Sequence, residues 1–280
     1  MFASYALWML VLVGQAAEAE KPTDAERLAR LKFLKEKAAE RSLYRGPGET
    51  AAFPLTTEPI LRYANIERWE LGTSDGATFL WLDGTLPVAA ISTSIRRPKD
   101  IAYQECTSFS SGPLECRQAG VPVWTPKGGG LVAQKLDGPA PAGAKVQRLA
   151  QMRALAARFA VTCYDSATNE PRELRLLPQP LYRFESEKHK ILDGALFAFV
   201  ITNDPEMFVL LEATTDSGPD AQWRFTLARM SSLPQKVRLD SKEIWSLTNF
   251  HRDPAEDKKT GHYTTGGVGH YVSPAPAATP

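Results

Sequence analysis

Few residues in this chain could do chemistry, and their placing narrows what that chemistry is. Arg62 and Arg183 each sit in an apolar stretch three residues after a proline, Pro59 and Pro180. A guanidinium there needs a partner or solvent. Stacking on an aromatic ring or pairing with a Glu at a sheet edge would satisfy it. So would an anionic ligand, and on that reading Arg62 and Arg183 are the candidate ligand-binding residues. Cys106 and Cys116 flank a turn at 110–113 almost symmetrically. If those flanks form a hairpin, the two thiols face each other and are candidates for a cross-strand disulfide, provided the geometry allows it. Cys163 falls in an apolar run and reads as a buried, inert thiol.

Histidine is scarce. His189 lies in a polar loop, while His251, His262 and His270 lie near the C-terminus, the last two in Gly-His-Tyr triplets. A Ser-His-Asp or Cys-His arrangement has little to draw on. No H-E-x-x-H, C-x-x-C, phosphate loop or G-x-G-x-x-G occurs, and Gly128-Gly129-Gly130 lacks the Lys-Ser/Thr of a phosphate loop. The expectation is no catalytic residue, no metal site and no cofactor. Carboxylate-based hydrolysis leaves no short motif, so a hydrolase with its site between the two halves of the chain stands as the alternative.

The elements that would position these residues follow from composition and pattern. The 280 residues carry a formal net charge of +1, which predicts no general attraction to nucleic acid or an anionic membrane. Residues 26–45 carry Arg27, Arg30, Lys32, Lys35, Lys37, Arg41 and Arg45 against three Glu, and read as a solvated helix face, with an anion-binding patch as the alternative. An apolar run from Tyr5 to Val13, too short to span a bilayer, precedes Ala17-Glu18-Ala19. That pattern predicts a signal peptide over 1–19 and an exported chain, periplasmic or extracellular, with no membrane contact after cleavage.

Two stretches organise the remainder. Asp75-Gly76-Ala77-Thr78-Phe79 and Asp193-Gly194-Ala195-Leu196-Phe197 stand 118 positions apart, and Pro87 and Pro205 keep that offset. Arg62 and Arg183, and Trp124 and Trp245, stand 121 apart. The Asp and Gly of each stretch read as turn formers before a buried strand. Asp83-Gly84 reads as a hairpin turn. Helices are predicted near 24–41 and 144–159, the first opening on the capping-box pattern Thr23-Asp24-Ala25-Glu26. The order-preserving match predicts an α+β fold: a tandem duplication of a domain with one N-terminal helix packed on a mainly antiparallel β-sheet. Its parts are a first repeat over 20–125, a Gly/Pro-rich linker over 126–143, a second repeat over 144–247 and a disordered tail over 248–280.

Three stretches carry a family likeness: Gln151-Met152-Arg153, the run from Glu173 to Arg183, and Asp193 to Phe197. Together they resemble a group of uncharacterised exported proteins of planctomycete-type bacteria, over most of the mature chain. The resemblance implies export and a shared fold, with no activity to transfer. The functional expectation is an exported, non-catalytic binding or interaction protein for an unknown ligand or protein partner.

Overall fold

In the computed structural model the described residues are 23–65, 74–97, 99–215, 220–253, 257 and 259–272. The expected signal peptide lies outside them. The N-terminal half runs α1 (Asp24–Ala39), β1 (Arg41–Tyr44), β2 (Ala52–Phe53), β3 (Leu61–Asn65), β4 (Ser74–Asp83), β5 (Leu86–Arg96), β6 (Ile101–Ser108), β7 (Glu115–Gln118) and β8 (Val121–Trp124), and β9 (Leu131–Leu136) follows. The C-terminal half runs α2 (Lys145–Ala156), β10 (Phe159–Tyr164), β11 (Pro171–Glu173), β12 (Arg175–Leu176), β13 (Tyr182–Ser186), β14 (Ile191–Ile201), β15 (Asp204–Thr214), β16 (Gln222–Arg229), β17 (Gln235–Leu239) and β18 (Lys242–Leu247). The last strand is β19 (Tyr263–His270).

This corrects the expected fold class. The described residues are 51% strand and 12% helix, with two helices and four antiparallel sheets, so the fold is not an α+β tandem of helix-plus-sheet domains. Each half divides its strands between a small and a large sheet. The small sheets run β2-β1-β7-β8 and β11-β10-β17-β18. The large ones run β19-β6-β5-β4-β3 and β12-β14-β15-β16-β9, with β13 also on β14.

The two large sheets close each other's edges. β9 follows the N-terminal half in sequence yet pairs with β16, from Leu136 opposite Trp223 to Leu131 opposite Leu227. β19 follows the C-terminal half yet pairs with β6, from Tyr263 opposite Thr107 to His270 opposite Ile101. The segments expected to be a linker and a disordered tail therefore each hold a strand. Main-chain pairing asks nothing of side-chain periodicity, so Gly266, Gly267 and Gly269 serve in β19. Indole hydrogen bonds tie down both approaches. Trp223 Nε1 donates to the Pro139 carbonyl at 2.9 Å, and Trp124 Nε1 donates to the Gly261 carbonyl at 2.8 Å.

Side-chain alternation explains the layering. Along β14, Ala195, Phe197, Phe199 and Ile201 enter an outer core with Met152 and Leu155 of α2 and Val161 of β10. Their neighbours Leu196, Ala198 and Val200 enter a central core with Leu80, Ala90 and Phe109 of the other half. A strand buried on both faces needs this near-continuous apolar run. On the other side Phe79, Trp81 and Ile91 pack with Leu34 and Ala38 of α1. Phe109 and Phe208 meet edge-on in the central core, centroids 5.9 Å apart. Each large side chain buried there contributes about 1.5–3 kcal/mol.

Gly76 and Gly194 are strand residues, not turn formers. A Cβ on Gly76 would lie 2.2 Å from the Tyr63 ring, and one on Gly194 would lie 2.4 Å from the Phe184 ring. Each glycine makes room for an aromatic ring lying over its strand. The hairpin expected at Asp83-Gly84 forms with its turn one residue on, at Gly84-Thr85, where Gly84 has φ +66° and Asp83 pairs with Leu86.

The Gly-His-Tyr triplets bracket β19. Tyr263 is fully buried, donates to Glu105 and meets Phe250 edge-on at 4.9 Å. Tyr271 packs on Phe33 at 5.1 Å. His262 lies beside Trp245, and burial, with the Arg229 charge nearby, pulls its imidazole from 6.5 down to about 4. The unfolded chain therefore binds a proton at this residue over a range where the folded chain does not. Stability should fall as pH drops from about 6.5 towards about 4, with no contribution from His262 above that window. Thermal melts of the native chain and His262→Phe across pH 7.5 to 4.5 check this: the variant should lose part of the slope, and parallel curves would refute the assignment.

Candidate functional site

Arg62 and Arg183 are half-buried and paired with carboxylates. Arg62 Nη2 donates to Asp75 Oδ1 at 2.5 Å, with Arg30 Nη1 4.0 Å from the same carboxylate. Arg183 donates to both oxygens of Asp193, at 2.9 and 2.6 Å. Arg148 of α2 adds a third hydrogen bond to Asp193 at 2.9 Å and also donates to the carbonyls of Ala142 and Gly143. Asp75 and Asp193, expected to form turns, are thus strand residues that pin a helix to a sheet. The partner is the aspartate of the repeated stretch, where sequence reasoning named an aromatic or a glutamate.

Cys106 and Cys116 are both free and fully buried. Cys106 is on β6 of a large sheet and Cys116 on β7 of a small one, so they do not face each other across a hairpin as expected. Burial raises both thiols, and for Cys116 the neighbouring Cys106 adds to the rise. Arg41 Nη1 lies 3.3 Å from Cys106 Sγ. Cys163 is buried in the outer core of the C-terminal half.

The side chains that share an accessible cleft are others. The β4–β5 turn of the N-terminal half meets the β13–β14 connection of the C-terminal half. There the Asp83 carboxylate accepts from Arg45 Nη2 at 2.7 Å and from Lys188 Nζ at 2.8 Å, and lies 3.0 Å from His189 Nε2. Thr85 Oγ1 donates to the Glu185 carbonyl beside them. Burial alone would raise the Asp83 carboxyl, but the hydrogen bonds from Lys188 and Arg45 outweigh it and hold it at about 2. A reciprocal contact is made by the β14–β15 turn, where Asn203 Oδ1 accepts from the Ala64 N–H at 3.0 Å.

Beside Asp83 opens a cleft of about 260 Å³. Its walls are apolar at Leu86, Val88, Phe109, Ile191 and Leu210, and polar at Ser110, Glu212, Thr214, Arg224 and Thr226. Val132 and Ala133 of the crossing strand β9 close one side. Glu212 and Arg224 are register partners on β15 and β16. Among the described residues no group of three or more His, Cys, Asp or Glu side chains is gathered as a metal site.

Sequence reasoning treated Asp83 as a turn residue, His189 as loop and Arg45 as one of a basic run. One signal was present. Asp83 occupies the position where the matching stretch has Ile201, so charge replaces an apolar residue in one half only.

Comparisons with protein-family models, with curated proteins and with solved structures found no match.

The two aspartate centres differ in depth, which sets an expected contrast. The Asp193 side chain is 1% exposed and the Asp75 side chain 19%. Asp193→Asn leaves two guanidiniums short of a charge in a buried setting and should cost about 3–5 kcal/mol. Asp75→Asn should cost about 1–2 kcal/mol. Urea unfolding of both variants checks the order, and equal losses would contradict it.

Proposed function

We propose that this chain is an exported, non-catalytic binding protein that holds a small ligand in the cleft between its halves. The observation that carries the reading is the convergence on one cleft of Asp83 and Val88 from one half, Leu210 and Glu212 from the other, and Val132 from the crossing strand. The lining mixes apolar side chains with about as many polar ones, and convergent polar groups in a concave site are what orient a ligand. The volume lies at or below the roughly 300–1,000 Å³ typical of drug-sized ligands, so the occupant is metabolite-sized. A hydrolytic role is less well supported. A carboxyl held at about 2 by Arg45 and Lys188 is a poor proton donor at neutral pH. Export rests on the Tyr5–Val13 run and the Ala17-Glu18-Ala19 site, and among the described residues no helix is long and apolar enough to cross a membrane.

A thermal-shift screen of metabolite pools, repeated on Val132→Trp, tests the reading. A ligand at a hundredfold excess over its Kd adds about 2.7 kcal/mol of stability. Hits should raise Tm by several degrees in the native chain and fail to do so in the variant, whose indole fills the cleft. Hits that ignore the substitution would place the site elsewhere.

A further inference from the structure

One edge of the cleft gathers cationic side chains around Asp83. Among the described residues, Asp83 is the carboxylate that bonds both Arg45, on the cleft lining, and Lys188, next to that lining, and His189 supplies a third nitrogen. Deeper in the cleft Glu212 and Arg224 stand opposite each other, one charge of each sign. Among the described residues, Arg45 and Arg224 line the cleft with Asp83 and Glu212, and Lys188 stands beside it on Asp83. Glu187 directly precedes Lys188 in the β13–β14 connection, and Glu185, in β13, is engaged by Lys145 at 2.5 Å.

The two rim cations are placed to take more than Asp83. The Arg45 side chain is 58% exposed and that of Lys188 63%. A guanidinium carries five N–H donors and an ammonium three, so neither is saturated by one carboxylate. A second anion at the rim would gain charge-assisted hydrogen bonds without full desolvation of its partners. Leu86, Ile191 and Leu210 contribute apolar lining to the same cleft.

We propose that the cleft takes a small organic anion, its charged group held between Arg45 and Lys188 and its short apolar body laid against Leu86, Ile191 and Leu210. This rests on the ligand-binding reading of the cleft. The charged group is a carboxylate or a phosphate monoester, and the two sources are distinguished by titration. Arg45 comes from one half and Lys188 from the other, so the clamp exists only when the two halves are docked.

The test titrates the full chain with hexanoate, hexyl phosphate and hexanamide, following backbone NMR shifts of cleft residues. At least one anion should bind about tenfold more tightly than the neutral amide, and the tighter anion identifies the preferred group. Lys188→Gln should weaken anion binding about five- to tenfold, Lys188→Arg should retain it, and added salt should weaken it. Hexanamide binding as tightly as both anions would overturn the proposal, as would a Lys188→Gln chain with unchanged anion affinity. In either case cleft-blocked hits from the metabolite screen would leave the binding reading standing. Failure of the anions and of the screen together would remove both.

Discussion

Everything in this protein depends on two main-chain ladders that cross between its halves. Each large sheet ends on a strand supplied by the other half: β9 on β16, and β19 on β6. A sheet without its last strand presents a row of unpaired N–H and C=O groups. Each half alone would expose such an edge, together with the apolar face that now forms the central core. The exchange removes both liabilities at once. It also builds the cleft, because β9 brings Val132 and Ala133 to a wall otherwise made by β5, β15 and β16.

Charge in this chain divides into structural and available groups. Asp193 is almost wholly buried and holds Arg148 and Arg183, locking α2 onto its sheet. Buried ion pairs of this kind add little net stability but are costly to break, which suits a role in fixing register. The Asp83 cluster differs. Its cations are more than half exposed and come from separate halves, so the same chemistry leaves donors for a ligand. Depth separates a structural guanidinium from a binding one.

That distinction explains what could be read from sequence. The apolar run of β14, the hairpin after Asp83 and the Thr23–Glu26 capping box are local patterns, and all are present. Arg62 and Arg183 were visible as charges needing partners, but the partner lies across a strand pair, 13 and 10 residues away. Gly76 and Gly194 looked like turn residues because the ring that demands each glycine comes from the neighbouring strand. β9 is hidden because its six residues sit between Gly128-Gly129-Gly130 and the Gly/Pro-rich stretch after Asp137, and β19 because a Gly-rich edge strand draws its order from main-chain hydrogen bonds and from anchors such as Tyr263. The Asp83 cluster gathers residues more than 100 positions apart, which no short motif records.

The most direct test of this account is whether the halves can exist apart. Residues 20–143 and 144–280 would be produced separately and then mixed, with near-UV circular dichroism and tryptophan fluorescence as readouts. The strand exchange requires that neither fragment alone shows a cooperative melt, and that mixing restores the native spectrum. A fragment that folds alone with the melting temperature of the intact chain would contradict it.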